Sequence, residues 1–124
     1  MAALGELERS VMDQLWSTPT GLTAYDLVDL LPADPGGKRL APTTVLTVLS
    51  RLEKKGFVTR ERSTRPHRYT AVASRADHAA ELMRDVLDGA DDRVAVLERF
   101  VGQVSPAEAD ALRELLLGRV RDAS

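Results

Sequence analysis

The sequence predicts a mainly α-helical chain with one small β-hairpin, an α+β protein. Three observations predict it. Apolar residues recur at three- and four-residue spacing in six segments, which is the helical period. Two short β-prone runs flank a single Ser/Pro-rich turn. Thr23, Ser74 and Ser105 each stand three places before an acid, the reciprocal arrangement that opens a helix. A chain of 124 residues allows one ordinary domain, or a small domain with an assembly element.

In the first segment Leu4, Leu7, Val11 and Leu15 share one face, extended by Met12 and Trp16, and Ser17 to Gly21 stops the helix. Thr23, with Asp26 three residues on, opens a second helix carrying Leu27, Val28, Leu30 and Leu31, which ends at Pro32. Pro32 to Pro42 is too rich in Pro and Gly for a helix. Pro42 fits the first turn of the third helix, where its missing N–H costs nothing. That helix runs to Gly56, which follows Lys54 and Lys55 as a terminating residue. Phe57–Arg62 and His67–Val72 then form a hairpin around the four-residue tip Ser63–Pro66, and a short extra strand is expected near Leu22.

Ser74 and Asp77 open a fourth helix, expected to bury Ala79, Leu82, Met83, Val86 and Leu87. Gly89 interrupts, and a fifth helix carries Val94, Leu97, Val101 and Val104 with Val96 and Phe100 beside them. Ser105-Pro106-Ala107-Glu108 is the clearest helix start, leading to Leu112, Leu115, Leu116 and Val120. The boundary between the two parts is set at 73/74, giving 1–73 and 74–124.

Composition narrows the function classes. Hydrophobic residues make up 44% and charged residues 29%, the balance of a soluble globular protein. No apolar run approaches the roughly 20 residues of a membrane helix, and the start carries no secretory pattern. A cytoplasmic location is expected. The absence of cysteine removes thiol nucleophiles, zinc knuckles and disulfides. Two histidines, His67 and His78, remain; the first is expected on the hairpin surface and the second in solvent on an acidic helix. Asp91 and Asp92 are adjacent and diverge, so they form no paired-carboxylate site. No catalytic grouping or phosphate-binding Gly loop is present, so no enzyme, cofactor or metal site is expected.

The net charge of −2 hides an asymmetry. Residues 38–75 hold ten basic residues against two acids, Glu53 and Glu61, a local net of +8. Residues 76–124 hold six against eleven, a net of −5. Phosphate attraction is screened within about 10 Å, so the local figure governs.

On the third helix Val45, Val48, Leu49 and Leu52 gather on one side. Thr43, Thr44, Thr47, Ser50, Arg51 and Lys54 fall on the other. Short hydroxyl side chains let a helix approach base edges, and Thr methyls suit a thymine methyl. Arg60, Arg62, Arg65 and Arg68 stud the adjacent hairpin, and with Lys54 and Lys55 they suit phosphates. Three helices, an outward polar face and a basic hairpin predict a winged helix-turn-helix followed by a helical dimerisation region, with double-stranded DNA as partner.

The same residues carry a resemblance. Ala41 to Gly56 resembles the recognition helix of the BlaI/MecI penicillinase-repressor family at Pro42, Thr44, Thr47, Arg51-Leu52 and Lys55-Gly56. The first helix, with Glu6, Glu8, Val11-Met12 and Leu15-Trp16, is similar to the family's opening, and Tyr69 matches the aromatic that closes its hairpin. The resemblance implies a homodimeric transcriptional repressor. Helix 42–55 would enter the major groove of an inverted-repeat operator and hairpin 57–72 would lie on the backbone. Thr44, Thr47 and Arg51 would contact bases or phosphates. Where many relatives have lysine and glutamine, this chain has Thr43 and Leu46, so its base preference is expected to differ.

In that family the C-terminal helices pair two chains. Here three short helices with broad apolar stripes have little core of their own, which independently favours mutual burial. Leu82, Val86, Val94, Leu97, Val101, Leu112, Leu115 and Leu116 are the candidate seam. Some relatives are cut at an Asn–Phe bond when a sensor protease acts. Arg99–Phe100 stands at the similar position, as a candidate cleavage bond, against a reading of Phe100 as a packing side chain. Copper-responsive relatives use C-terminal cysteines, and this chain has none. Two other readings stay open: a ligand-responsive winged-helix regulator of another family, and a winged-helix protein-interaction module.

Overall fold

The computed structural model describes residues 4–33 and 36–123, with side chains as far as 119. The elements run α1 Glu6–Trp16, β1 Leu22–Thr23, α2 Ala24–Leu30, α3 Pro42–Lys54, β2 Val58–Glu61, β3 Arg68–Ala71, α4 Arg75–Asp88, α5 Arg93–Val101 and α6 Pro106–Ala123. The first three helices and the three-stranded sheet make a winged helix-turn-helix, and three more helices follow. The chain divides into two compact units, Met1–Leu82 and Met83–Ser124, with α4 running through the division.

The first unit holds a single core. Val11, Met12 and Leu15 of α1, Leu27 of α2, Val45, Val48, Leu49 and Leu52 of α3, and Phe57, Val58 and Tyr69 of the hairpin are buried together. The helix starts are local devices. The Asp26 amide donates to Thr23 Oγ1 at 3.1 Å while the Thr23 amide donates to Asp26 Oδ2 at 3.0 Å. The same reciprocal pair joins Ser74 to Asp77 and Ser105 to Glu108. In each case an acid takes an N–H that the helix would otherwise leave unpaired.

The sheet order is β1-β3-β2, all antiparallel. Leu22 faces Tyr69 across one ladder, and Arg60 faces Tyr69 across the other. The short strand expected near Leu22 is thus β1, and it makes β3 the central strand. Gly21 precedes it at φ 89° with its N–H donated to Thr18 O at 2.9 Å. A Cβ there would lie 2.7 Å from Thr70 Cγ2 and 2.8 Å from Tyr69 O, so the close approach of this turn to β3 requires glycine.

Four expectations are corrected. The strands are shorter than expected, and the connection is the six residues 62–67 in place of four; Pro66 has no N–H to extend the ladder. Leu30 is exposed, because α2 ends there and Leu31 takes the buried place. Ala79, Leu82, Met83 and Val86 are exposed and Leu87 is half-buried. Their spacing describes a stripe, and a stripe is buried only where another surface covers it. His78, expected in solvent, is the buried residue of α4. Its ring lies 5.2 Å from the Trp16 ring and 5.5 Å from that of Phe57.

Candidate nucleic-acid interface

Pro42 begins α3 with a fixed φ and no wasted N–H. The helix then shows two sides, as its spacing demands. Val45, Val48, Leu49 and Leu52 are buried, while Thr43, Thr44, Leu46, Thr47, Ser50, Arg51 and Lys54 are exposed. The Thr47 hydroxyl donates to Thr43 O at 2.9 Å, so its one proton is already used within the helix.

The helix ends in a double reversal. The Phe57 amide donates to Leu52 O at 2.9 Å and the Gly56 amide to Glu53 O at 3.1 Å. Gly56 sits at φ 85°, which a side chain would resist. This turn sends the chain directly into β2, whose Arg60 reaches Glu53 of α3.

The cations divide into two groups. Lys55 turns away from the outward face. Its Nζ donates to both oxygens of Glu8 at 2.9 Å, and this bond above all holds the Glu8 carboxyl below its usual range. Arg60 stands 3.6 Å from Glu53, with its Nε buried and without a hydrogen-bond partner. Arg68 donates to Gly21 O at 3.0 Å. These three tie α1, α3, the hairpin and the turn together. Arg51, Lys54, Arg62 and Arg65 are exposed and make no such tie between elements among the described residues; Lys55, although tied, is exposed as well. Arg65 donates to Arg62 O at 3.1 Å and Thr64 O at 3.3 Å and touches His67 Nε2, so the tip is held in one shape. Desolvation, then the cations of Arg65, Arg60 and Arg62, hold His67 below the usual histidine value, which favours its neutral form. In the loop before α3, Arg39 is ion-paired with Asp29.

Sequence reasoning picked the hydroxyl face and the hairpin arginines but assigned no contact to three residues. Tyr25 is 61% exposed in the first turn of α2. Leu46 is 44% exposed among the threonines of α3. His78 is buried where α4 begins. A polar-against-apolar projection would have singled out Leu46 as the misplaced residue of its face. Nothing local distinguishes His78.

The second unit carries an apolar groove of about 820 Å³, whose lining includes Met83, Val86, Leu97, Phe100, Leu112 and Leu116. Of the candidate seam residues, Val86, Leu97, Val101, Leu112 and Leu116 line it; Leu82, Val94 and Leu115 are exposed outside it. Arg99 and Phe100 lie in the last turns of α5; the Arg99 guanidinium donates to Ala95 O at 3.1 Å and Phe100 lines the groove. Among the described residues no group of three His, Cys, Asp or Glu could hold a metal ion, and no helix is long and apolar enough to cross a membrane.

The family model for the penicillinase repressor matches residues 4–117. The transcriptional regulator BlaI of Mycobacterium tuberculosis strain CDC 1551 / Oshkosh is 45% identical over 119 residues, spanning 94% of this chain and 84% of that protein. Its counterpart in strain ATCC 25618 / H37Rv matches to the same extent. Among solved structures, a mutant of MepR from Staphylococcus aureus is a looser likeness, with 16% identity, 99% of this chain and 80% of that chain covered, and a TM-score of 0.46.

Proposed function

The chain belongs to the penicillinase-repressor family, and from that premise we propose a DNA-binding transcriptional repressor that grips an inverted-repeat operator as a homodimer. It has no catalytic task. The observation that carries the reading is the exposed face of α3. Short hydroxyls occupy its first turns, Arg51 and Lys54 its end, and the arginine-bearing hairpin stands alongside. The buried side of the same helix is fastened to the core, so this face is presented rigidly, as base reading requires.

In this reading Thr43, Thr44, Thr47, Ser50 and Arg51 lie toward base edges and the nearest phosphates. Lys54, Arg62 and Arg65 supply phosphate contacts. Lys55, Arg60 and Arg68 hold the reading surface in shape, and their charge acts on the duplex at longer range. The segment 1–73 binds DNA and 74–124 pairs the chains, through the apolar groove and the exposed leucines and valines around it. Two-fold pairing then matches half-sites about 34–36 Å apart. A repressor works where its operator is, which makes the cytoplasm its location in this reading. Breakage of the Arg99–Phe100 bond, which sits within this pairing region, would release the operator by parting the chains.

The test is selection from a mixed genomic DNA library at several salt concentrations, followed by sequencing. The expected result is a palindrome whose affinity falls steeply as salt rises. Salt-insensitive retention without a shared sequence would overturn the reading in favour of a protein-interaction module. The groove supports one other reading, a ligand-responsive regulator. That reading predicts operator release by an apolar small molecule with the chain intact.

A further inference from the structure

We propose that Leu46 reads a thymine in each half-site by packing on its C5-methyl group, an inference that rests on the DNA-binding reading above. A lone exposed leucine is ordinary on a protein surface. This one is not placed at random. It stands one helical turn after Thr43, directly before Thr47 and one turn before Ser50, and all four are exposed. Leu46 lies toward one edge of the outward face and Arg51 toward the other, about 140° apart on the helix circumference.

The chemistry of the row is what singles out a methyl. Adenine is read by a side-chain amide that donates and accepts at once, and cytosine by a carboxylate. Thr43, Thr47 and Ser50 offer single hydroxyls, which can meet either base without telling the two apart, and Leu46 offers no polar atom at all. The Thr47 hydroxyl proton is engaged by Thr43 O, so Thr47 meets a base edge with a methyl group and an acceptor oxygen. Guanine can be read at the Arg51 edge, but at the Leu46 edge the side chain has no polar atom. The major-groove feature that rewards an apolar contact is the thymine methyl. An apolar side chain aimed at any other base edge would strip water from polar atoms and return nothing for it. Leu46 therefore selects thymine by attraction and disfavours the other bases by desolvation.

The experiment uses the full chain and the operator recovered by selection. Each thymine of a half-site is replaced in turn by deoxyuridine, which differs only by the methyl group, and binding is measured for the wild type, Leu46→Ala and Leu46→Gln. One thymine per half-site should depend on Leu46: its replacement should weaken the wild type about fourfold, the worth of one buried methyl. Leu46→Ala should bind the thymine and deoxyuridine operators equally at that position, while keeping the wild-type melting temperature and salt dependence. Leu46→Gln should shift selection there toward adenine. Wild-type affinity unchanged by every replacement, or full methyl sensitivity retained in Leu46→Ala, would overturn the assignment while operator binding itself stands. Failure to recover any salt-sensitive operator would instead remove the DNA reading and this inference with it.

Discussion

Lys55 Nζ lies 2.9 Å from both carboxylate oxygens of Glu8, 47 residues earlier in the chain. Glu8 also accepts the Gly5 amide at 2.8 Å, so one carboxylate caps the start of α1 and fixes the end of α3. A lysine that suits a phosphate in the sequence thus also makes a structural tie.

Lys55→Met should therefore lower stability by about 1 kcal/mol in urea unfolding, the worth of a charge-assisted bond whose lysine stays partly in solvent. The slope of log affinity against log salt should stay near that of the wild type. Lys54→Met should do the reverse, leaving stability unchanged and reducing that slope by about 0.9. Equal effects of the two variants on the slope would place both lysines on the duplex.

Acid should unfold the first unit through identified carboxylates. Lys55 foremost, and then the Gly5 amide, hold the Glu8 carboxyl below its ordinary value of 4.5, and the hydrogen bonds to Thr23 hold Asp26 below 3.8. A depressed acid stabilises the fold fully above its unfolded value, and that stabilisation is lost as pH falls through the folded value. The contribution of these two carboxylates should be level down to about pH 5 and decline below about 4.5, while His67, held below its usual value, adds a shallow decline that starts below about 6.5. Glu8→Gln should make the decline shallower, measured as unfolding free energy against pH; an unchanged profile would exclude Glu8 as a contributor.

Gly21→Ala should destabilise the fold by more than about 1 kcal/mol, since it combines a positive φ with contact against β3 backbone. Thermal melting checks this. A neutral result would mean that the turn and β3 can move apart without cost.

Arg51→Ala should weaken operator binding by about 1–3 kcal/mol and relax selectivity at one position, if the guanidinium reads a base. Weakening that is uniform over all sequences would make Arg51 a phosphate contact.

Leu97→Asp places a charge in the apolar groove of the second unit. It should give monomers in sedimentation and weaken operator binding in parallel. Dimers that persist would move the seam to another face.

What was legible in the sequence was local. Thr23 with Asp26, Ser74 with Asp77 and Ser105 with Glu108 act over three residues, and each made the bonds that its spacing implied. Gly56 ended α3 because the reversal needs a positive φ. The division of α3 into buried and exposed sides followed from one period. What stayed hidden depended on distant partners. Lys55 and Arg68 find Glu8 and Gly21 across 47 residues, and no spacing rule joins such pairs. His78 is buried because Trp16 and Phe57 close around it, although Asp77 precedes it and Glu81 follows three places on. The spacing of α4 to α6 describes apolar stripes, but spacing alone does not say whether another surface covers a stripe.

Among the described residues, none after His78 is buried. If, as proposed, a second copy covers these helices, their order varies with concentration. Dilution then acts on these helices as heating acts on a self-contained domain. In a cell, a falling copy number would expose greasy surface to quality-control proteases at the same moment as it emptied the promoter, so that scarcity and turnover of the protein would reinforce each other.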